Sequence, residues 1–179
     1  MNQLDSQTLA PTGRSRASTA RSSRPAAARA GPGWRFAFIH ALWHEAIVGQ
    51  ARDAFFAEMA RHRIPAEAID LFNVPGAFEL PLHARKLADT GRYDAVVACA
   101  LVADGGIYRH EFVADAVISG LMRVQLDCQV PVISAVLTPQ HFHEHEEHRR
   151  FFSEHFAVKG TEAARACLKT VQSLRRIAA

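Results

Sequence analysis

Between Tyr93 and Ala103 the chain reads Tyr-Asp-Ala-Val-Val-Ala-Cys-Ala-Leu-Val-Ala, an apolar run with no alternation after Asp94. A strand with one wet face alternates apolar and polar residues, because successive side chains point to opposite sides. An unbroken run is expected of a strand covered on both faces, at the centre of a parallel sheet. Such a strand needs neighbours on both edges and helices above and below. Three other runs supply the neighbours: Arg35 to Ala41, Ile69 to Val74, and Pro131 to Leu137.

The helices are legible between them. Ile47, Val48, Ala51, Ala54, Phe55 and Met59 recur at helical spacing up to Arg63, and Pro65 closes that segment. Pro75-Gly76 breaks the second strand, and Ala77 opens a helix that tolerates Pro81 in its first turn and ends at Gly91. Val113, Val117, Leu121, Val124 and Leu126 mark a third helix, and an amphipathic fourth is expected from about Gly160 to Ile177. Strand and helix thus alternate four times. This predicts an α/β fold with a four-stranded parallel sheet, right-handed crossovers and helices on both faces.

The first 33 residues stand outside that pattern. From Ala10 to Gly33 no aliphatic residue is larger than alanine, so the segment cannot bury enough surface to offset its ordering entropy and is expected to be disordered. Its five arginines (Arg14, Arg16, Arg21, Arg24 and Arg29) face Asp5 alone, so the net charge of +3 for all 179 residues leaves the body at −1. The basic character therefore belongs to the extension, which argues against a nucleic-acid-binding body. An Arg-rich, Ser-rich, acid-poor start fits either an organelle transit peptide or a flexible bacterial extension. Cys99, Cys128 and Cys167 are odd in number and sit among apolar residues, which predicts reduced core thiols and a cytoplasmic setting. No apolar stretch approaches the ~20 residues of a membrane span.

Ligands of open α/β sheets bind beyond the carboxyl ends of the strands. After the central run comes Asp104-Gly105-Gly106-Ile107-Tyr108-Arg109-His110. Gly105 and Gly106 permit close backbone approach, and the following helix start offers N–H groups to an anion. His110 would then place a group that titrates near neutrality beside that anion, although a capping loop with a solvated histidine also fits. Trp43, after the first run, suits either stacking on a flat heterocycle or a hydrophobic staple. Glu79 lies where a carboxylate either caps a helix or accepts bonds from ligand hydroxyls. His141, His145 and His148 fall on one helical face, with His143 nearby. Their spacing matches no common zinc motif, and Glu144, Glu146 and Glu147 favour a solvated, ion-paired helix with no metal. Arg149, Arg150 and Lys159 are candidate anion contacts.

Five blocks in order carry a family resemblance: Trp43; Val74-Pro75-Gly76-Ala77-Phe78-Glu79-Leu80-Pro81; His110-Glu111-Phe112-Val113; Pro131-Val132-Ile133 with Val136-Leu137-Thr138; and Lys159-Gly160-Thr161-Glu162-Ala163-Ala164. Residues 34–179 resemble the 6,7-dimethyl-8-ribityllumazine synthases. The resemblance implies a flavodoxin-like three-layer α/β/α sandwich and the penultimate step of riboflavin synthesis. That step condenses 5-amino-6-ribitylaminouracil with 3,4-dihydroxy-2-butanone 4-phosphate and needs neither metal nor organic cofactor. By carry-over, Trp43 stacks on the pyrimidine, and Gly76, Ala77, Phe78 and Glu79 hold the ribityl chain. Val102, Ala103 and Asp104 meet the pyrimidine edge, and His110 moves protons.

Three positions depart from the common pattern. Gly106-Ile107-Tyr108 replaces a threonine-containing loop, leaving backbone N–H groups to meet the phosphate. Ser134 stands where a phenylalanine usually reaches the neighbouring subunit's pyrimidine. The usual phosphate-binding arginine aligns with His148 or with Phe151, with Arg149 and Arg150 between them. The Gly-Gly-Ile-Tyr-Arg-His loop and histidine-rich segment resemble a second bacterial type, which forms homodecamers of two pentamers. The alternative implied by Tyr108 and Ser134 is a flavin- or lumazine-binding homologue with little synthase activity.

Overall fold

The computed structural model describes residues 33–104, 109–140, 142 and 145–178. Strands β1 (Phe36–Ala41), β2 (Ile69–Val74), β3 (Ala95–Leu101) and β4 (Val132–Leu137) alternate with helices α1 (Glu45–Arg61), α2 (Leu80–Asp89), α3 (His110–Cys128) and α4 (Glu146–Ala178). The strands form one parallel sheet in the order β2-β1-β3-β4, with Phe36 opposite both Ile69 and Ala95, and Val96 opposite Val132. Every residue of β1 and β3 is buried, whereas β2 on one edge is buried only at its ends, Ile69 and Val74, with half-buried and exposed residues between. The unbroken run is therefore a central strand, as its composition requires.

The path of the chain sets the layers. From β1 it steps to β2 on one side, then crosses back to β3 and on to β4. Right-handed crossovers require the connecting helix to change face when the direction changes. Accordingly α1 and α4 cover one face, over Phe36, Phe38, Val97 and Cys99. The other face carries α2 and α3, over Ala37, Ile39, Val96 and Ala98. The result is the flavodoxin-like three-layer sandwich. Its direction reverses between β1 and β3, which opens a crevice at their carboxyl ends.

Two sequence expectations need correction. The last helix does not begin near Gly160. It runs unbroken for 33 residues from Glu146, and Gly160 lies inside it. Gly160 is there because α1 and α4 cross with their backbones touching: a Cβ at this position would collide with the carbonyl oxygen of Ala51. The same helix pair is tied by Glu58, nearly buried on α1, which accepts bonds from Arg165 at 2.7 Å and Arg61 at 2.8 Å. Those guanidiniums, Arg165 foremost, hold its carboxyl down at about 2. The second correction concerns the thiols. Cys99 and Cys167 are buried, and burial raises the Cys167 thiol to about 12, but Cys128 is only half-buried and its sulfur lies 3.6 Å from Asp89.

The amino end of the sheet is closed by charges. Asp70 accepts two bonds from Arg35 at 2.7 Å and one from the Tyr93 hydroxyl at 2.7 Å, with Arg92 at 3.4 Å. Asp94 accepts the Arg35 N–H at 2.7 Å and the Arg175 guanidinium at 2.9 Å. On β1, His40 is fully buried, and neither ring nitrogen has a hydrogen-bond partner among the described residues. Burial is the main cause that pushes its pKa below the usual histidine value. No helix among the described residues is long and apolar enough to cross a membrane. The expectation for the extension falls, Gly33 apart, outside the described residues.

Candidate active site

The crevice is built from three strand exits. After β1 the chain keeps pairing with the exit of β2: Leu42 N–H donates to Val74 at 2.9 Å and Trp43 N–H to Pro75 at 3.1 Å. His44 then turns into the left-handed region at φ 58° and starts α1 without a side-chain cap. This turn leaves Trp43 on the rim, 68% exposed. Its indole lies on Gly76, where an added Cβ would sit 2.9 Å from the ring. Read in sequence as a strand breaker, Gly76 is also the one residue small enough to lie beneath that ring.

Residues Ala77–Glu79 form a 3₁₀ turn that runs into α2. Glu79 Oε2 accepts the Gly76 N–H at 2.9 Å, so its carboxylate does cap this turn. Ala77 is buried, while Phe78 points outward at 65% exposure. Thus Trp43, Gly76 and Glu79, each read separately in the sequence, form one contact unit.

The third exit follows β3. Val102 is buried and its N–H donates to Leu137 at 2.9 Å, which extends the ladder with β4, and Ala103 and Asp104 are half-buried. Gly105, Gly106, Ile107 and Tyr108 lie outside the described residues, and the anion-cradle reading falls on them. The chain resumes at Arg109, whose guanidinium lies 4.5 Å from the centre of the Phe112 ring. His110 is the first residue of α3. Its Nδ1 is 3.9 Å from Asp104 Oδ1 and 3.9 Å from Glu111 Oε2, and its side chain is 14% exposed. The approach of Glu111 to His110 was not read from the sequence, because a carboxylate in a first helical turn reads as ordinary capping.

The remaining candidates are more dispersed. Ser134 sits within edge strand β4 opposite Ala98, exposed, and short of the strand's carboxyl end. Of the expected helical face, His148 lies on α4 and His145 just before it, since the helix begins at Glu146. His141 and His143 lie outside the described residues. His148 instead joins an aromatic chain that leads back to the rim. His44 meets Phe142 at 5.3 Å, Phe142 meets Phe152 at 5.4 Å, and His148 lies 6.2 Å from Phe152. Glu147, His148, Phe151 and Phe152 line a shallow hollow there. Arg149 is exposed on the same turn, and Lys159, further along, pairs with Glu162 at 2.7 Å. Among the described residues no group of three or more His, Cys, Asp or Glu side chains converges as a metal-binding set.

An aromatic platform, a carboxylate-capped glycine turn and a helix-borne histidine at the switch point of a doubly wound sheet define a flavodoxin-like protein with a small-molecule site. Residues 33–175 match the family described as 6,7-dimethyl-8-ribityllumazine synthase. The chain is 62% identical over 145 residues to the protein of that name from Rhodococcus erythropolis, covering 81% of this chain and 94% of the relative. It is 58% identical over 149 residues to 6,7-dimethyl-8-ribityllumazine synthase 2 of Pseudomonas syringae pv. tomato, covering 82% and 88%. A third relative, synthase 2 of Bradyrhizobium diazoefficiens, is 58% identical over 144 residues, covering 80% and 86%. The chain belongs to the 6,7-dimethyl-8-ribityllumazine synthase family.

Proposed function

We propose that this protein condenses 5-amino-6-(D-ribitylamino)uracil with 3,4-dihydroxy-2-butanone 4-phosphate to 6,7-dimethyl-8-ribityllumazine, losing phosphate and two waters, in riboflavin biosynthesis. The observation that carries this reading is the Trp43–Gly76–Glu79 unit. It offers a flat face beside a carboxylate and a turn of backbone amides, which suits a heterocycle bearing a polyol. The indole supports the pyrimidine, and Gly76, Ala77, Phe78 and Glu79 bind the ribityl chain. Val102, Ala103 and Asp104 meet the pyrimidine edge. His110 moves protons as the amine condenses with the ketone and as phosphate leaves.

The phosphate is held by backbone N–H groups of Gly105, Gly106, Ile107 and Tyr108 and by a cationic side chain from α4, with His148, Arg149 and Lys159 as candidates. Holding two substrates together lowers the entropic part of the barrier, and one placed acid/base adds about 10²–10⁴-fold. Neither requires a metal or organic cofactor.

The site also calls for a second copy. Ser134 is exposed on an edge strand, and Phe112, Ile118, Met122 and Leu126 are exposed along α3. We propose a homo-oligomer built from pentamers, with two pentamers face to face as a decamer. Sedimentation velocity at micromolar concentration checks this; a monomer under all conditions refutes it. Incubating the purified chain with both substrates and following product fluorescence tests the activity. A rate no greater than the uncatalysed one, from folded oligomer, overturns the reading.

A further inference from the structure

His110 has two carboxylates behind it that the reaction as proposed does not use as a pair. Asp104 reaches it from the exit of β3, and Glu111 from its own helix. Both approach the same ring nitrogen, Nδ1, at 3.9 Å, although they arrive from different elements. That distance is too long for a formed hydrogen bond. It lies within the range of charge attraction, and catalytic contacts in enzymes without substrate are characteristically long and tighten in the complex.

Among the described residues, the other charged groups near this turn have contacts of their own or face solvent. Arg109 lies over the Phe112 ring. On the neighbouring 3₁₀ turn and α2, Glu79 accepts the Gly76 amide and the His83 ring bonds to the Glu79 carbonyl at 2.9 Å. Asp115 stands on the exposed side of the next turn.

A neutral imidazole carries its proton on one nitrogen, and the partner of that nitrogen decides which. We infer that Asp104 and Glu111 form a positioning pair that holds the proton on His110 Nδ1 and leaves the Nε2 lone pair facing the substrates. The pair also offsets the charge the ring gains when Nε2 takes a proton at the amino end of α3, where the helix dipole opposes that charge. Asp104 is the less exposed partner, with side-chain exposure of 37% against 66% for Glu111, so solvent weakens it less. Asp104 therefore carries the larger share. The catalytic meaning of the pair rests on the synthase reading; its effect on the tautomer does not.

The test is ring ¹⁵N spectroscopy of the full-length protein at alkaline pH, with His110→Asn to assign the signal. The wild type should show the Nδ1–H form. Asp104→Ala together with Glu111→Ala should move the population towards Nε2–H, whereas Asp104→Asn, which keeps an acceptor oxygen, should largely retain Nδ1–H. In turnover, Glu111→Ala should lower kcat about tenfold with KM unchanged, the scale seen when an orienting partner is removed. Nε2–H in the wild type, or the same tautomer in wild type and double variant, overturns the pair. Changed tautomers in a protein that makes no lumazine would support the pair and remove only the synthase reading. Turnover with an unmoved tautomer would remove only the pair.

Discussion

The two ends of the sheet use similar residues for opposite purposes. At the amino end Arg35, Asp70, Arg92, Tyr93, Asp94 and Arg175 satisfy one another at 2.7 to 3.4 Å. At the carboxyl end Trp43, Phe78 and Phe112 are each more than 60% exposed. There the histidine meets its carboxylates only at 3.9 Å. Charges that close on themselves hold a fold together, while exposed aromatic faces beside a loosely held histidine are available to ligands and partners. The difference separates residues that hold the strands from residues to which the proposed reaction is assigned.

The sharpest way to draw that line is His110→Asn. It should lower kcat by about 10²–10⁴-fold, equivalent to roughly 3 to 5 kcal/mol, while leaving the thermal midpoint within error. A lost midpoint would mean that His110 belongs to the scaffold. Gly160→Ala should do the reverse, costing about 3 kcal/mol in denaturant unfolding because α1 and α4 must separate to admit the methyl group. An unaffected unfolding midpoint would show that the crossing is looser than its geometry. Trp43→Ala should raise KM for the pyrimidine roughly 10- to 100-fold, the worth of one stacked base, with unfolding unchanged. Asp70→Ala at the closed end should cost about 1 to 2 kcal/mol of stability and nothing in KM.

The smallest effect is one of pH. Glu58 is held at about 2 when folded against an ordinary 4.5, so it binds its proton more weakly folded than unfolded. Its stabilisation is present above about 4.5 and is lost as pH falls towards 2. Glu58→Gln should therefore lower the midpoint at pH 7 and converge with wild type near pH 2. Parallel melting curves at the two pH values would contradict this.

Much of the fold was legible because its signals are local. The run from Tyr93 to Ala103, the Pro75-Gly76 break and the glycine at Gly91, with φ of 64°, each act within a few residues. What escaped depends on contacts far apart in the chain. Nothing near Asp70 announces partners 35 and 23 residues away. Gly160 resembled a helix start because its need for a missing side chain comes from Ala51, on another helix. The same holds at the site. Trp43 and Glu79 were visible as residue types, but only the structure shows that both meet Gly76.

The length of α4 has one further consequence. At 1.5 Å per residue its 33 residues reach about 50 Å. A strand of six residues such as β4 covers only about 20 Å. From Phe156, buried against the sheet, to Arg175, bonded to Asp94 at the amino end, the helix already runs the depth of the domain. The ten residues before Phe156 carry the helix on by a further ~15 Å, and Phe152 among them packs on Phe142 at 5.4 Å. Glu147, Arg149 and Phe151 are exposed on that stretch, next to the His44–Phe142 contact that ties it to the rim.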